Sequence, residues 1–342
     1  MAESRIKTVY GSVGKIARKS ERYRGFMALL VVITLGLIFS PRSIKTGWPV
    51  FITIKTQLDI LFENAEYGIL AAGMTLVILT GGIDLSVGSV LGMVSCAFGL
   101  MVIGYGMDPY LACLISVIIG AAAGAISGFL ISRFRVQAFA ATLAMMAAAR
   151  GMAKYITGEI KVQPGAREWY AIQGDSPSFF VSMTKSIPGI GVKPVTLVFL
   201  FAIVIMWVVV RYSRFGRHLY AIGGNEEAAR LSGIRVGLNK FMAYVFCGML
   251  AGLAGICATC RLELGDTEAG TGYELDAIAA VVIGGTSLAG GRGGMMLTLM
   301  GALIIGYINK ILSLNGITLA WRLMVKGAII VLAVLIQKRR KT

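Results

Sequence analysis

The chain alternates uninterrupted apolar runs with short polar connections that carry most of its charge. About 20 apolar residues span a bilayer as a helix, and fewer suffice where a helix is broken or packed inside protein. Runs of this kind lie near residues 26–40, 66–80, 85–105, 109–131, 136–157, 194–210, 238–259, 275–289, 294–312 and 321–336. The pattern predicts an all-α integral membrane protein, a polytopic bundle of about ten transmembrane helices with broken or re-entrant segments. The stretch from Val50 to Leu61 is too polar to span alone and reads as a re-entrant or interfacial helix.

The charges orient this bundle. Arg5, Lys7, Lys15, Arg18, Lys19, Arg22 and Arg24 precede the first run. If the N-terminus is cytoplasmic and the runs alternate, Arg133 and Arg135 also fall inside, with Arg211, Arg214, Arg217, Arg230, Arg235, Lys240, Arg292 and the group Lys338 to Lys341. Asp59, Glu63, Asp108, Glu159, Glu168, Asp175, Glu263, Asp266 and Glu268 fall outside. Basic residues favour the cytoplasmic side, and an even span count places both termini there. The expected organisation is a basic cytoplasmic tail over 1–25, a membrane domain over 26–336 and a basic cytoplasmic tail over 337–342. An external loop covers 158–193, where Pro164, Pro177 and Pro188 forbid an uninterrupted helix, and a longer cytoplasmic loop covers 211–240. The charged N-terminal region is too long for a signal peptide.

Composition removes several classes of function. Hydrophobic residues make up 56% of the 342 and charged ones 15%, with 44 Gly, and the mean hydropathy of +0.77 excludes an ordinary soluble enzyme. The net charge of +16 flanks apolar runs instead of covering a soluble face, so no nucleic-acid partner is expected. The 5 Cys make no disulfide framework, and Cys257 and Cys260, on one apolar helix, read as small packing residues. His218 stands alone among bases, which leaves neither a metal site nor a catalytic triad. No phosphate-binding loop of the G-x-x-x-x-G-K-[ST] type is present.

Two glycine-rich segments interrupt the apolar pattern. In Gly81-Gly82-Ile83-Asp84-Leu85-Ser86-Val87-Gly88-Ser89 only Asp84 is charged. A carboxylate at that depth is either a helix cap and hinge, with Ser86 in the same turn, or a substrate or gate contact. Gly284, Gly285, Leu288 and Gly291 repeat the spacing of Gly81, Gly82, Leu85 and Gly88, with Thr286 and Ser287 between. Paired broken helices are a transporter feature, although four matches in a glycine-rich chain also arise by chance. Gly120, Gly124 and Gly128, like Gly248 and Gly252, are four apart and suit close helix packing.

Within the long cytoplasmic loop, Gly223 to Ile234 reads as one short capped helix. Asn225 is its N-cap, Glu226 and Glu227 lie in the first turn, Ala228 and Ala229 offer a small face, Arg230 is near the end and Gly233 stops it. Such a helix suits docking into a groove on a soluble partner.

The runs from Gly73 to Ser89, Arg135-Val136-Gln137-Ala138-Phe139, Gly223 to Ile234, Gly270 to Val282 and Gly284 to Gly291 resemble the permease subunits of bacterial sugar ABC importers of the ribose, galactose and xylose type. The resemblance implies a multi-pass bacterial inner-membrane subunit, not itself an enzyme, that moves a monosaccharide by alternating access. It implies that Gly223 to Ile234 is the coupling helix seated on a cytoplasmic ABC ATPase, which holds the ATP and Mg, so that no cofactor binds this chain. The further partners implied are an external sugar-binding protein, periplasmic or a lipoprotein, and a second permease copy or a paralogue. An ion-driven secondary transporter would need more intramembrane carboxylates than Asp84, Glu274 and Asp276, and an integral-membrane enzyme lacks any nucleophile and base.

Overall fold

The computed structural model describes residues 25–44, 47–163 and 177–338. Nearly all of the N-terminal tail, the middle of the 158–193 loop and the last four residues therefore lie outside the described residues. The helices are α1 (Gly25–Phe39), α2 (Ile54–Glu63), α3 (Ala65–Leu79), α4 (Val87–Gly99, continued by a π turn Leu100–Gly104), α5 (Pro109–Arg133), α6 (Ala138–Thr157) and α7 (Ser178–Thr184). They continue as α8 (Pro194–Tyr212), α9 (Arg214–Gly224), α10 (Glu226–Leu231), α11 (Val236–Leu262), α12 (Tyr273–Gly284), α13 (Met295–Leu314) and α14 (Leu319–Lys338).

Each expected apolar run contains one of these helices. Val87–Gly104, Pro109–Arg133, Pro194–Tyr212, Val236–Leu262 and Met295–Leu314 are long and apolar enough to cross a membrane on their own. The polar stretch after Val50 is a 3-10 turn followed by α2. Two expectations need correction. The run expected over 275–289 stops as a helix at Gly284, because Gly285 turns the backbone with φ +111. The loop at 211–240 holds two helices, since α9 precedes α10. Its polar side carries Arg214, Arg217 and His218, so it reads as loop, yet Ser213 caps it by accepting from Gly216 N at 3.0 Å and Leu219 and Ile222 are buried.

Helix α3 is the axis of the bundle. It is apolar on every side, and all its residues except Tyr67 are buried, which requires neighbours all round. Helices α11, α12, α8 and α13 supply them. Outside this shell α5 lies antiparallel on α11, where the expected small faces meet: a Cβ on Gly120 or Gly124 would run into α11 backbone at Gly248 and Tyr244.

Two charge pairs run through this apolar interior. Arg261 grips Glu66 with two bonds, Nε to Oε1 at 2.6 Å and Nη2 to Oε2 at 3.1 Å, and Glu66 is 1% exposed. Lys326 of α14 reaches Asp276 of α12 at 3.0 Å and lies over the Tyr67 ring. A buried carboxylate needs such a partner, because removing it from water without one costs several kcal/mol (roughly 3–5).

The two ends of the bundle differ. One end carries the turn between α5 and α6, helices α9 and α10, and both glycine-rich segments. The opposite end carries α2, α7 and an isolated antiparallel bridge between Val162 and Gly265, with surface ion pairs Lys161–Asp266 and Lys310–Glu63.

Candidate functional site

The first glycine-rich segment begins where α3 stops. Gly81 takes a left-handed turn (φ +79), and the chain climbs back into the bundle to begin α4 at Val87. Asp84 is 1% exposed, and its Oδ1 accepts from Ser86 N at 2.9 Å and Ser86 Oγ at 2.6 Å. Asp84 is thus not the N-cap of α4 that the sequence suggested: Ser86 holds that position without a side-chain cap bond, and Asp84 instead closes the turn that precedes it. A direct solute contact is not open to it either, because the carboxylate is closed off. Tyr244 of α11 approaches the same segment, its hydroxyl 3.5 Å from Ile83 O.

The second segment is a closed loop between α12 and α13. Thr286, fully buried, accepts from Gly294 N through Oγ1 at 3.3 Å. Ser287 bonds across the loop to Arg292 O through its backbone N–H at 3.0 Å, and its hydroxyl accepts from Ala289 N at 3.3 Å. Gly284 ends α12 against Leu297 O of α13.

The two segments meet. Gly291 N donates to Leu79 O at 3.0 Å, which ties the second loop to the last residue of α3. Helix α9 closes the contact from below: a Cβ on Gly223 would overlap both Leu79 O and Gly291 N. Tyr220, one turn earlier on the same face, donates to Gly293 O at 2.9 Å. Burial raises the Tyr220 phenol above its ordinary value, so it remains a donor. The sequence reading placed Gly223 only at the edge of a helix and missed Tyr220, although their spacing of three puts them on one helical face.

Helix α10 follows directly from this junction. Asn225 caps it, accepting from Ala228 N at 3.0 Å, and Gly233 ends it with φ +81. Glu226 and Glu227 occupy the first turn, as expected, but Arg230 is not free for a partner. It folds back onto Glu227 at 3.1 Å and Glu226 at 3.3 Å, and Lys240 of α11 binds Glu226 at 2.6 Å. The small face also differs from the expectation. Ala229 is 5% exposed and packs with Ile222 and Val236, whereas Ala228 points outward beside Leu231, which is 81% exposed. The chain thus presents an apolar tip where the sequence suggested two alanines.

A cavity of about 590 Å³ opens beside α10. Thr80, Gly81, Gly82 and Tyr244 line it together with Arg135, Arg235 and Lys240, so it reaches from the basic rim to the first glycine turn. No cluster of three His, Cys, Asp or Glu able to hold a metal exists among the described residues, and His218 faces Asn239 at 3.3 Å. Helix α9 thus lies between α10 and the junction of the α3 end with the second glycine-rich loop.

Comparison with known proteins decides the family. Residues 57–334 match the family model described as branched-chain amino acid transport system / permease component. The chain belongs to this permease family. The permease is a multi-pass protein of the bacterial inner membrane, and several of its helices are long and apolar enough to cross one. It is 42% identical to the ribose import permease of Escherichia coli strain K12 over 93% of this chain and 94% of that protein. It is 42% identical to the ribose import permease of Bacillus subtilis strain 168 over 92% of each. The D-allose transport system permease of Escherichia coli strain K12 is 33% identical over 93% of this chain and 92% of its own length. No solved structure matches the chain.

Proposed function

We propose that the permease is the membrane subunit of an ATP-driven importer of a ribose-type monosaccharide. The observation that carries this reading is the 42% identity to ribose import permeases over nearly the whole chain. The family description names branched-chain amino acids, but it covers a broad group, and the full-length relatives at this identity are named for ribose. The proposed topology keeps about ten spans, with both termini, the 1–25 and 337–342 tails and the 211–240 loop in the cytoplasm and the 158–193 loop outside. ATP and Mg sit on a separate ATPase, an external sugar-binding protein delivers substrate, and two permeases, identical or paralogous, enclose the pathway.

In this reading α10 is the coupling element. Leu231 and Ala228 enter a groove on the ATPase, while the ring of Glu226, Glu227, Arg230 and Lys240 neutralises itself and keeps the helix formed. Closure of the ATPase moves α10, and α9 transmits the motion to the glycine junction. Alternating access is then a choice between two packings of the same helices.

Reconstituted vesicles containing the permease, its ATPase and its binding protein test the reading. ATP-dependent uptake of ribose supports it, and uptake of leucine in place of any sugar overturns it. Leu231→Asp is expected to leave ATP hydrolysis running while uptake falls at least about tenfold, as for loss of an interface anchor. Normal uptake by that variant removes α10 from the coupling role.

A further inference from the structure

The sides of the bundle differ in chemistry. On α5 the most exposed residues include Leu114, Ile118 and Phe129, and on α8 they include Leu197, Phe201 and Val208. Those faces suit lipid tails. The side formed by α6, the 263–272 segment and the first turn of α12 also exposes apolar residues, Met152, Tyr155 and Leu275 among them, but sets charged groups between them. Lys154 and Glu268 pair at 3.1 Å with side chains 44% and 58% exposed, Thr271 is exposed, and Arg150 and Glu274 are partly buried.

These groups are not at the rim of the membrane. The 263–272 segment descends along α4: Gly265 lies against Gly99, Ala269 against Gly92 and Gly270 against Gly88. Arg150 holds the descent by donating from Nη1 to Thr267 O and Ala269 O. Glu274 ends up beside Gly88, where an added Cβ would touch its carboxylate. Glu274 precedes Gly284, the inner end of α12, by ten residues, about 15 Å at the helical rise, which is half of a hydrocarbon thickness of about 30 Å. Among the described residues Glu274 has no cation within ion-pair distance, unlike Asp276 on the same helix. Arg150, one turn away against Gly92, acts on this carboxylate only from a distance, and a carboxylate without a direct ion-pair partner at such depth faces water or a polar solute, because lipid would exclude it.

We propose that this face is the permease's wall of the translocation pathway, and that Glu274 accepts hydrogen bonds there from neighbouring hydroxyls of the passing sugar. The assignment rests on the sugar-importer reading. It goes further by naming the wall and the acceptor. A carboxylate offers two oxygens, which match a pair of adjacent O–H donors on a neutral polyol, and burial between helix ends strengthens those bonds. Arg150 is a positioning residue, since it fixes the segment that presents Thr271 and Glu274.

The test uses the reconstituted complex with its ATPase and binding protein. Thr271→Cys and Phe129→Cys are compared for labelling by a hydrophilic, membrane-impermeant maleimide in the resting, binding-protein-bound and ATP-bound states. Thr271→Cys is expected to label at least about ten times faster in one or more of these states. Equal rates in all three overturn the wall assignment, as does an oxidant-induced cross-link between two copies at Thr271→Cys without labelling, which marks a dry contact. Glu274→Gln is expected to raise the half-saturating sugar concentration for uptake about tenfold, the loss of one charge-assisted bond, with partial recovery in Glu274→Asp. An unchanged half-saturating concentration removes the acceptor role. A wild-type complex that moves no monosaccharide overturns the sugar reading instead, while the labelling comparison still decides the wall.

Discussion

The two glycine-rich segments share a sequence spacing and differ in nearly everything else. Gly81 is left-handed, but its counterpart by spacing, Gly284, is the last helical residue of α12, and Gly88 lies in α4 whereas Gly291 is left-handed (φ +69) in a loop. The first segment is closed by a buried carboxylate and its serine. The second is closed by Thr286, Ser287 and left-handed glycines. What they have in common is a place: the first begins and the second ends beside Gly223, which packs on Leu79 O and Gly291 N. Equal spacing here records a shared destination, not a repeated backbone.

The largest effect is expected where the two segments meet. Gly223→Leu collides with the backbone at Leu79, where α3 ends before the first segment, and at Gly291 of the second, and overpacking against backbone has no side chain to move aside. Uptake should fall to about one hundredth or less with membrane insertion retained, a loss of roughly 2.7 kcal/mol in coupling. Uptake near the wild-type level would show the junction to be loose and the comparison empty.

Gly291→Ala and Gly82→Ala then separate the segments. At Gly291 the left-handed backbone and the contact with Gly223 and Gly224 act together, for a cost of about 1–3 kcal/mol. At Gly82 the backbone is ordinary and the nearest group is the Tyr244 hydroxyl, 2.6 Å from an added Cβ. Tyr244→Phe should therefore rescue Gly82→Ala and leave Gly291→Ala impaired, as read by thermal unfolding in detergent and by uptake. Rescue of both would mean that the two segments respond to one shared strain.

The smallest effect belongs to the carboxylate. Asp84→Asn keeps an Oδ1 to accept from Ser86 and should cost at most about 1 kcal/mol, whereas Asp84→Ala loses the turn and costs about 1–2 kcal/mol. A loss of sugar selectivity in Asp84→Asn at unchanged stability would return Asp84 to the pathway.

The helices were legible because lipid-facing and buried runs are both apolar and both long, so periodicity was not needed to find them. The cap of α10 was legible too, since Asn225 and the two glutamates act within one turn. The phase of α10 was not. Six residues, Glu226–Leu231, give fewer than two turns, too short a record to tell that Ala229 faces in and Ala228 out. Glu274 escaped as a pathway group because its setting depends on a descending segment that only the packing against α4 reveals.

The pair between Glu66 and Arg261 bears on how the permease is made. Its partners are 195 residues apart in the chain. At a synthesis rate of about 5–20 residues per second, Glu66 waits roughly 10–40 s for its guanidinium. During that interval α3 carries an unmatched charge in its first turn, and it lacks the α11 and α12 surfaces that bury it. The central helix of the finished bundle is thus among the first to be synthesised and among the last to settle. Until α11 arrives, it depends on the insertion machinery or the membrane interface to hold it.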